Sequence, residues 1–157
     1  MELTRIGTVT AHLKPPQMIG PGPYGIRMFI EIMDGTLEGD PSVPEVNSIA
    51  GTVLPGGGDW VLIGADGWAR LDVRVQFLTS NGAVVFAEFF GLIEMTDKVQ
   101  DALMSGAATE FDDQYFRVTP RLETGDPQLE WVNQAVFLGE GRFVEGFGLQ
   151  YVMYRVG

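Results

Sequence analysis

At 157 residues the chain has room for one domain, and a hydrophobic content of 45% supplies a full core. A net charge of −11 repels nucleic acid and anionic membrane surfaces, so neither is an expected partner. The absence of cysteine excludes disulfides, thiolate metal sites and cysteine nucleophiles. No apolar run is long enough for a membrane-spanning helix. The opening Met1-Glu-Leu-Thr-Arg5 has no basic head followed by an apolar stretch, and the expected location is the cytoplasm.

Taken in chain order, nine runs rich in Val, Ile, Phe, Tyr and Thr read as strands. They are Leu3–Leu13, Ile26–Met33, Asn47–Leu54, Trp60–Ile63, Ala69–Thr79, Ala83–Ile93, Gln114–Leu122, Val132–Leu138 and Phe143–Val156. Between them Met33-Asp-Gly35, Ala65-Asp-Gly67 and Ser80-Asn-Gly82 read as tight hairpin turns, because Asp-Gly and Asn-Gly accept φ > 0. Only one segment reads as α-helix, with Asp97 as its cap and Gly106 as its end. A further helical turn is expected at Pro127–Asn133 after Asp126. Many antiparallel strands with almost no helix predict an all-β domain over residues 1–157, a barrel or a sandwich.

The strand patterns separate two faces. Leu71, Val73, Val75 and Phe77 alternate with Arg70, Asp72, Arg74 and Gln76. Ile26, Met28, Ile30 and Ile32 oppose Arg27, Phe29 and Glu31. The pattern does not say which face lines the interior. Ala83–Ile93 and Phe143–Val156 are apolar on both faces, which predicts a homo-oligomer.

Gly51-Thr-Val-Leu-Pro-Gly-Gly-Gly-Asp-Trp60 is the sharpest local feature. Consecutive glycines permit unusual backbone angles and close approach of a ligand or another strand. With Tyr24-Gly-Ile-Arg27, Gly35-Thr-Leu-Glu-Gly39, Asp72 with Arg74, Asn81-Gly82, Tyr115-Phe-Arg117, Leu122-Glu-Thr124 and Trp131-Val-Asn133 leading to Phe137-Leu-Gly139, it forms an ordered set over nearly the whole chain. On these residues the chain resembles the bacterial and fungal domain of unknown function 3237 family. Pro-Gly-Gly-x-Asp-Trp and Tyr-Phe-Arg are the most specific of the motifs. The resemblance implies a single antiparallel β-barrel of lipocalin-like or allene-oxide-cyclase-like architecture with one short helix. Asp34-Gly35 and the insertion-like Asp40–Asn47 loop depart from the family pattern at the rim of any pocket.

Cofactor signals are absent. His12 is the only histidine and there is no Asp-x-Asp-x-Asp-Gly loop, so no metal is expected. Neither a phosphate-binding Gly-rich loop before a helix nor a Gly-x-Ser-x-Gly elbow occurs. What remains is carboxylate and arginine chemistry. Glu88 interrupts Val84-Val-Phe-Ala-Glu-Phe-Phe90, so it is either on the solvent face or buried, paired and raised in pKa. Glu88 and Asp59 are the candidate acid/base residues, with Arg74 and Arg117 as stabilisers of an enolate or oxyanion. Arg27, Trp60, Tyr115 and Trp131 are the candidate ligand-binding residues, with the pocket mouth expected beside Gly56–Trp60. The expected partner is a small molecule. Three readings stay open: a cofactor-independent lyase or isomerase, a non-catalytic barrel that binds a hydrophobic or acidic metabolite, and a structural oligomerisation module. A buried carboxylate of perturbed pKa beside a cavity favours the first.

Overall fold

A computed structural model describes residues Met1–Gly157. Ten strands form one antiparallel sheet: β1 Leu3–Leu13, β2 Gln17–Gly22, β3 Gly25–Gly39, β4 Gly51–Val53, β5 Gly57–Ile63, β6 Trp68–Thr79, β7 Val84–Glu94, β8 Phe116–Glu123, β9 Val136–Val144 and β10 Gly148–Val156. Hydrogen bonds run β1-β10-β9-β8-β7-β6 and then to β3 through β4 and β5 in succession. Pairing of β1 with β3 closes the barrel. β4 and β5 share one stave, so the closed wall has eight staves, and β2 lies outside it on the N-terminal half of β3. No helix is long and apolar enough to cross a membrane.

Most of the predicted strands lie where the alternation puts them, but Asn47–Leu54 shrinks to Gly51–Val53, Phe143–Val156 is broken by a turn between β9 and β10, and two further differences concern β2 and β9. β2 escapes the pattern because Gln-Met-Ile-Gly-Pro-Gly does not alternate. β9 begins at Val136, since Val132 belongs to a 3-10 segment over Pro127–Gln134. That segment plugs one end of the barrel with Leu129 and Val132. The turns at Ala65-Asp-Gly67 and Ser80-Asn-Gly82 form, with Gly67 and Gly82 at φ 78° and 87°.

Met33-Asp-Gly35 is not a turn. β3 runs straight through it, changing neighbours from β2 and β5 to β1 and β4. The register with β1 shifts there, between His12 and Leu13. A side chain on Gly35 would collide with the Thr10 carbonyl, so the glycine serves close strand approach at a bulge. Outside this bulge His12 Nδ1 and Asp34 Oδ1 meet at 2.5 Å on the exposed surface.

The second end of the barrel is closed by α1, Asp97–Ser105. Thr96, rather than Asp97, caps it: its side chain accepts the Val99 N–H. Gly106, in the left-handed region at φ 74°, ends it. Val99, Ala102 and Leu103 are buried against the barrel.

Candidate functional site

Alternation along the strands of a closed barrel sends every second side chain inward. Here the apolar set points in: Leu71, Val73, Val75 and Phe77 of β6, and Val85, Ala87 and Phe89 of β7, are buried. Toward the end plugged by the 3-10 segment, Ile6, Leu37, Ile49 and Phe137 are buried. Toward α1 the packing opens into a cavity of about 40 Å3 lined by 21 residues, 20 of them hydrophobic. By that measure about 10–15 Å3 holds one water, so the space fits a few waters or a small organic group. Met95 and Leu103 line its α1 side. A small hollow shares Leu13, Ile30, Leu103 and Phe143 with it and continues to Lys14, Pro16 and Phe147.

The exception in the lining is Asp59. It faces inward because β5 alternates Asp59 and Val61, both buried, with exposed Trp60. The glycines before it are structural. A Cβ on Gly57 would lie 2.7 Å from the Arg74 carbonyl, and one on Gly58 would collide with the Phe29 ring. Glycine here lets β5 approach β6 and lets Phe29 lie across the outer surface beside Trp60, with ring centroids 5.0 Å apart.

Asp59 sits at a break in the ladder. β5 and β6 pair at Gly58–Arg74 and Asp59–Val73, and again at Leu62–Arg70 and Ile63–Ala69. The pairing skips Trp60 and Val61. The Asp72 N–H donates instead to Asp59 Oδ1 at 3.0 Å. Burial pushes the Asp59 carboxyl up to about 7; the donated Asp72 N–H opposes this, and the negative charge of Asp72 adds to it. Tyr151 lines the same cavity, held between Phe89, stacked at 5.2 Å, and Phe116, edge-on at 5.4 Å. Burial, and then the Asp59 charge, push its hydroxyl well above the ordinary tyrosine value, so it stays a neutral O–H donor.

The other residues singled out in the sequence lie elsewhere. Glu88 is half-buried on the outer face of β7, between Arg74 of β6 and Arg121 of β8 in register. Arg74 and Arg117 are exposed on the same outer surface, and Arg117 stands 3.5 Å from Glu140. Arg27 donates to the Trp60 carbonyl at 3.1 Å. Tyr115 is exposed, packs edge-on against Trp68 at 5.5 Å and lies under the Arg117 guanidinium. Trp131 belongs to the opposite plug, where its Nε1–H donates to the Asn47 carbonyl at 3.2 Å. The fold therefore brings Asp59 to the cavity and leaves Glu88, Arg27, Arg74, Arg117, Trp60, Tyr115 and Trp131 out of its lining. Sequence reasoning passed over Tyr151 as a site residue, although Leu149, Tyr151 and Met153 alternate with Gln150 in the pattern of an inward-facing set. No three His, Asp or Glu side chains converge in a group able to hold a metal ion.

Comparison with known proteins agrees with this architecture. Residues 1–156 match the family described as "Protein of unknown function (DUF3237)", and the chain belongs to that family. A "UPF0311 protein" of Rhodopseudomonas palustris is 32% identical over 143 residues, 88% of this chain and 86% of that protein. The crystal structure of a conserved protein of unknown function from Rhodopseudomonas palustris superposes with a TM-score of 0.86 at 28% identity, covering 99% of this chain and 97% of the other. A Penicillium roqueforti protein named "PR-toxin biosynthesis cluster protein 7" is 27% identical over 154 residues, 90% of this chain and 83% of its own length.

Proposed function

We propose that this member of the DUF3237 family is a cofactor-independent lyase or isomerase that moves a proton on a neutral, largely apolar small molecule held inside the barrel. The observation that carries the reading is Asp59, a carboxyl whose pKa of about 7 lies within an otherwise apolar cavity. A group titrating near neutrality both accepts and returns a proton, which is what general acid/base catalysis asks of it. Tyr151 would donate its hydroxyl to the substrate oxygen on which charge develops. The cavity lining contains no arginine or lysine, so a substrate carboxylate or phosphate has no counter-charge there. The name of the Penicillium roqueforti relative, a biosynthesis cluster protein, is consistent with small-molecule chemistry of this kind. A substrate larger than the cavity requires Met95 and Leu103 to yield, and the hollow toward Lys14 and Pro16 marks the side from which it would enter. The same apolar lining would suit a binding barrel without catalysis; the ionisable Asp59 favours the enzyme.

The test uses cyclohex-2-enone, a compact neutral ketone with exchangeable protons beside its carbonyl. Incubated in D2O with the protein, it should take up deuterium at those carbons faster than in buffer. Asp59→Asn should lower that excess rate by about 10²-fold or more, and Tyr151→Phe should lower it less. Equal exchange with wild type and with Asp59→Asn refutes the acid/base role. Saturable binding without any exchange would move the assignment to the binding barrel.

A further inference from the structure

We propose that Asp72 is the partner through which Asp59 exchanges its proton with solvent, across the β5–β6 seam of the barrel wall. The inference rests on the reading of Asp59 as a proton-transfer group. Hydrogen from solvent reaches a product only if Asp59 exchanges its proton with water, and of the side chains lining the cavity only Asp59 and Tyr151 carry an exchangeable proton. The wall offers a route. Asp59 is on the inner face and Asp72 on the outer, and they meet where the ladder skips Trp60 and Val61. The Asp72 N–H already reaches Asp59 Oδ1 at 3.0 Å.

The Asp72 side chain has a feature that its place on a solvent-facing strand position does not explain. Its Oδ1 is sealed from solvent and has no hydrogen-bond partner, although the residue as a whole is half-buried. An acceptor oxygen sealed in this way is costly unless something donates to it. A proton shared with Asp59 would satisfy it. The arginines nearby do not pair with it. Arg70 is held by Asp66 at 2.6 Å and Arg27 points to the Trp60 carbonyl, while Arg74, two residues along on the same outer face, makes no ion pair with Asp72. Glu31 of β3 pairs with Lys14 at 2.5 Å, and on the cavity side the titratable group is Tyr151 of β10. No ion pair engages Asp59 or Asp72.

The step balances simply. The O–H bond of the Asp59 carboxylic acid breaks as an O–H bond forms on the Asp72 carboxylate. The pair carries one negative charge before and after. Asp72 then gives the proton to water on the outer face, and the reverse sequence reloads Asp59. Asp72 does not touch substrate, so it is a positioning and relay residue rather than a catalytic one.

Carboxyl carbon-13 NMR, recorded against pH on the intact protein, tests the relay without any substrate. In the wild type the Asp72 resonance should show an inflection at the Asp59 midpoint near pH 7. Asp72→Asn keeps the backbone donor and removes the charge, so the Asp59 midpoint should fall. The same variant should slow proton exchange between Asp59 and solvent at least tenfold, giving separate rather than averaged lines at the midpoint. Asp72→Glu should restore fast exchange. A wild-type Asp72 resonance with no inflection near Asp59's midpoint overturns the proposal even if the variants fail to fold. So does a folded Asp72→Asn protein with the wild-type midpoint and exchange rate. These outcomes are separable from those of the ketone assay: an unmoved midpoint rejects the relay while leaving a loss of exchange in Asp59→Asn intact.

Discussion

Replacing Asp59 by asparagine should make the protein more stable at alkaline pH and flatten its stability profile between pH 4 and pH 8. The folded carboxyl titrates near 7 against an ordinary value of 3.8, a difference of about three units. At 1.36 kcal/mol per unit, ionising it in the folded state costs on the order of 4 kcal/mol. The sign follows from proton binding. Between pH 4 and pH 7 the folded chain holds a proton that the unfolded chain has lost, so wild-type stability falls as pH rises through that window and levels off above it. Below pH 4 both states are protonated and the penalty vanishes. For a chain of this length 1 kcal/mol moves Tm by about 2–4 °C, so the penalty corresponds to on the order of 10 °C. The other shifted carboxylates act in a different window. Asp66 is held down to about 2, first by the Arg70 guanidinium, and Asp40 and Asp113 are lowered by hydrogen bonds from Ser42 and from the Glu110 N–H. Their contributions are lost only as pH falls below about 4. Scanning calorimetry of wild type and Asp59→Asn at half-unit steps from pH 4.5 to 8.5 reads the difference directly. The variant should melt higher by only about 2–4 °C near pH 4.5 and by on the order of 10 °C at pH 8.5. Parallel curves would refute the claim that Asp59 is a desolvated carboxyl.

Three further outcomes are expected. Phe89→Ala removes a fully buried ring that stacks on Tyr151 and should cost about 3–5 kcal/mol in urea unfolding; a loss under 1 kcal/mol would contradict the packed aromatic wall. Gly57→Ala drives a methyl group against the Arg74 carbonyl and should cost about 1–3 kcal/mol, with thermal melting as the measure and an unchanged Tm as the contrary result. Trp60, Phe90 and Leu92 are each about two-fifths exposed on the outer wall, so light scattering at micromolar concentration should report an oligomer; a monomer mass would count against it.

The sequence by itself determined the elements and their alternation. Period-2 patterning marks β6 residue by residue, Asp-Gly and Asn-Gly place two of the hairpin turns, and Gly106 ends α1, because these signals act over a few neighbouring residues. It also singled out Asp59, through its place after three glycines. Local signals could not say that Asp34-Gly35 is a crossing point instead of a turn, since that depends on a strand more than twenty residues away. Nor could they say which face of each strand points inward. Closure of the sheet decided that, and it sent Arg74, Glu88 and Arg117 to the outer wall while Asp59 went to the cavity. The meeting of Asp59 with Asp72 and with Tyr151 is likewise a product of the tertiary structure. A side chain's chemistry is written in its residue type, but its pKa is set by the water it loses and the charges it meets, and only the closed barrel fixes those.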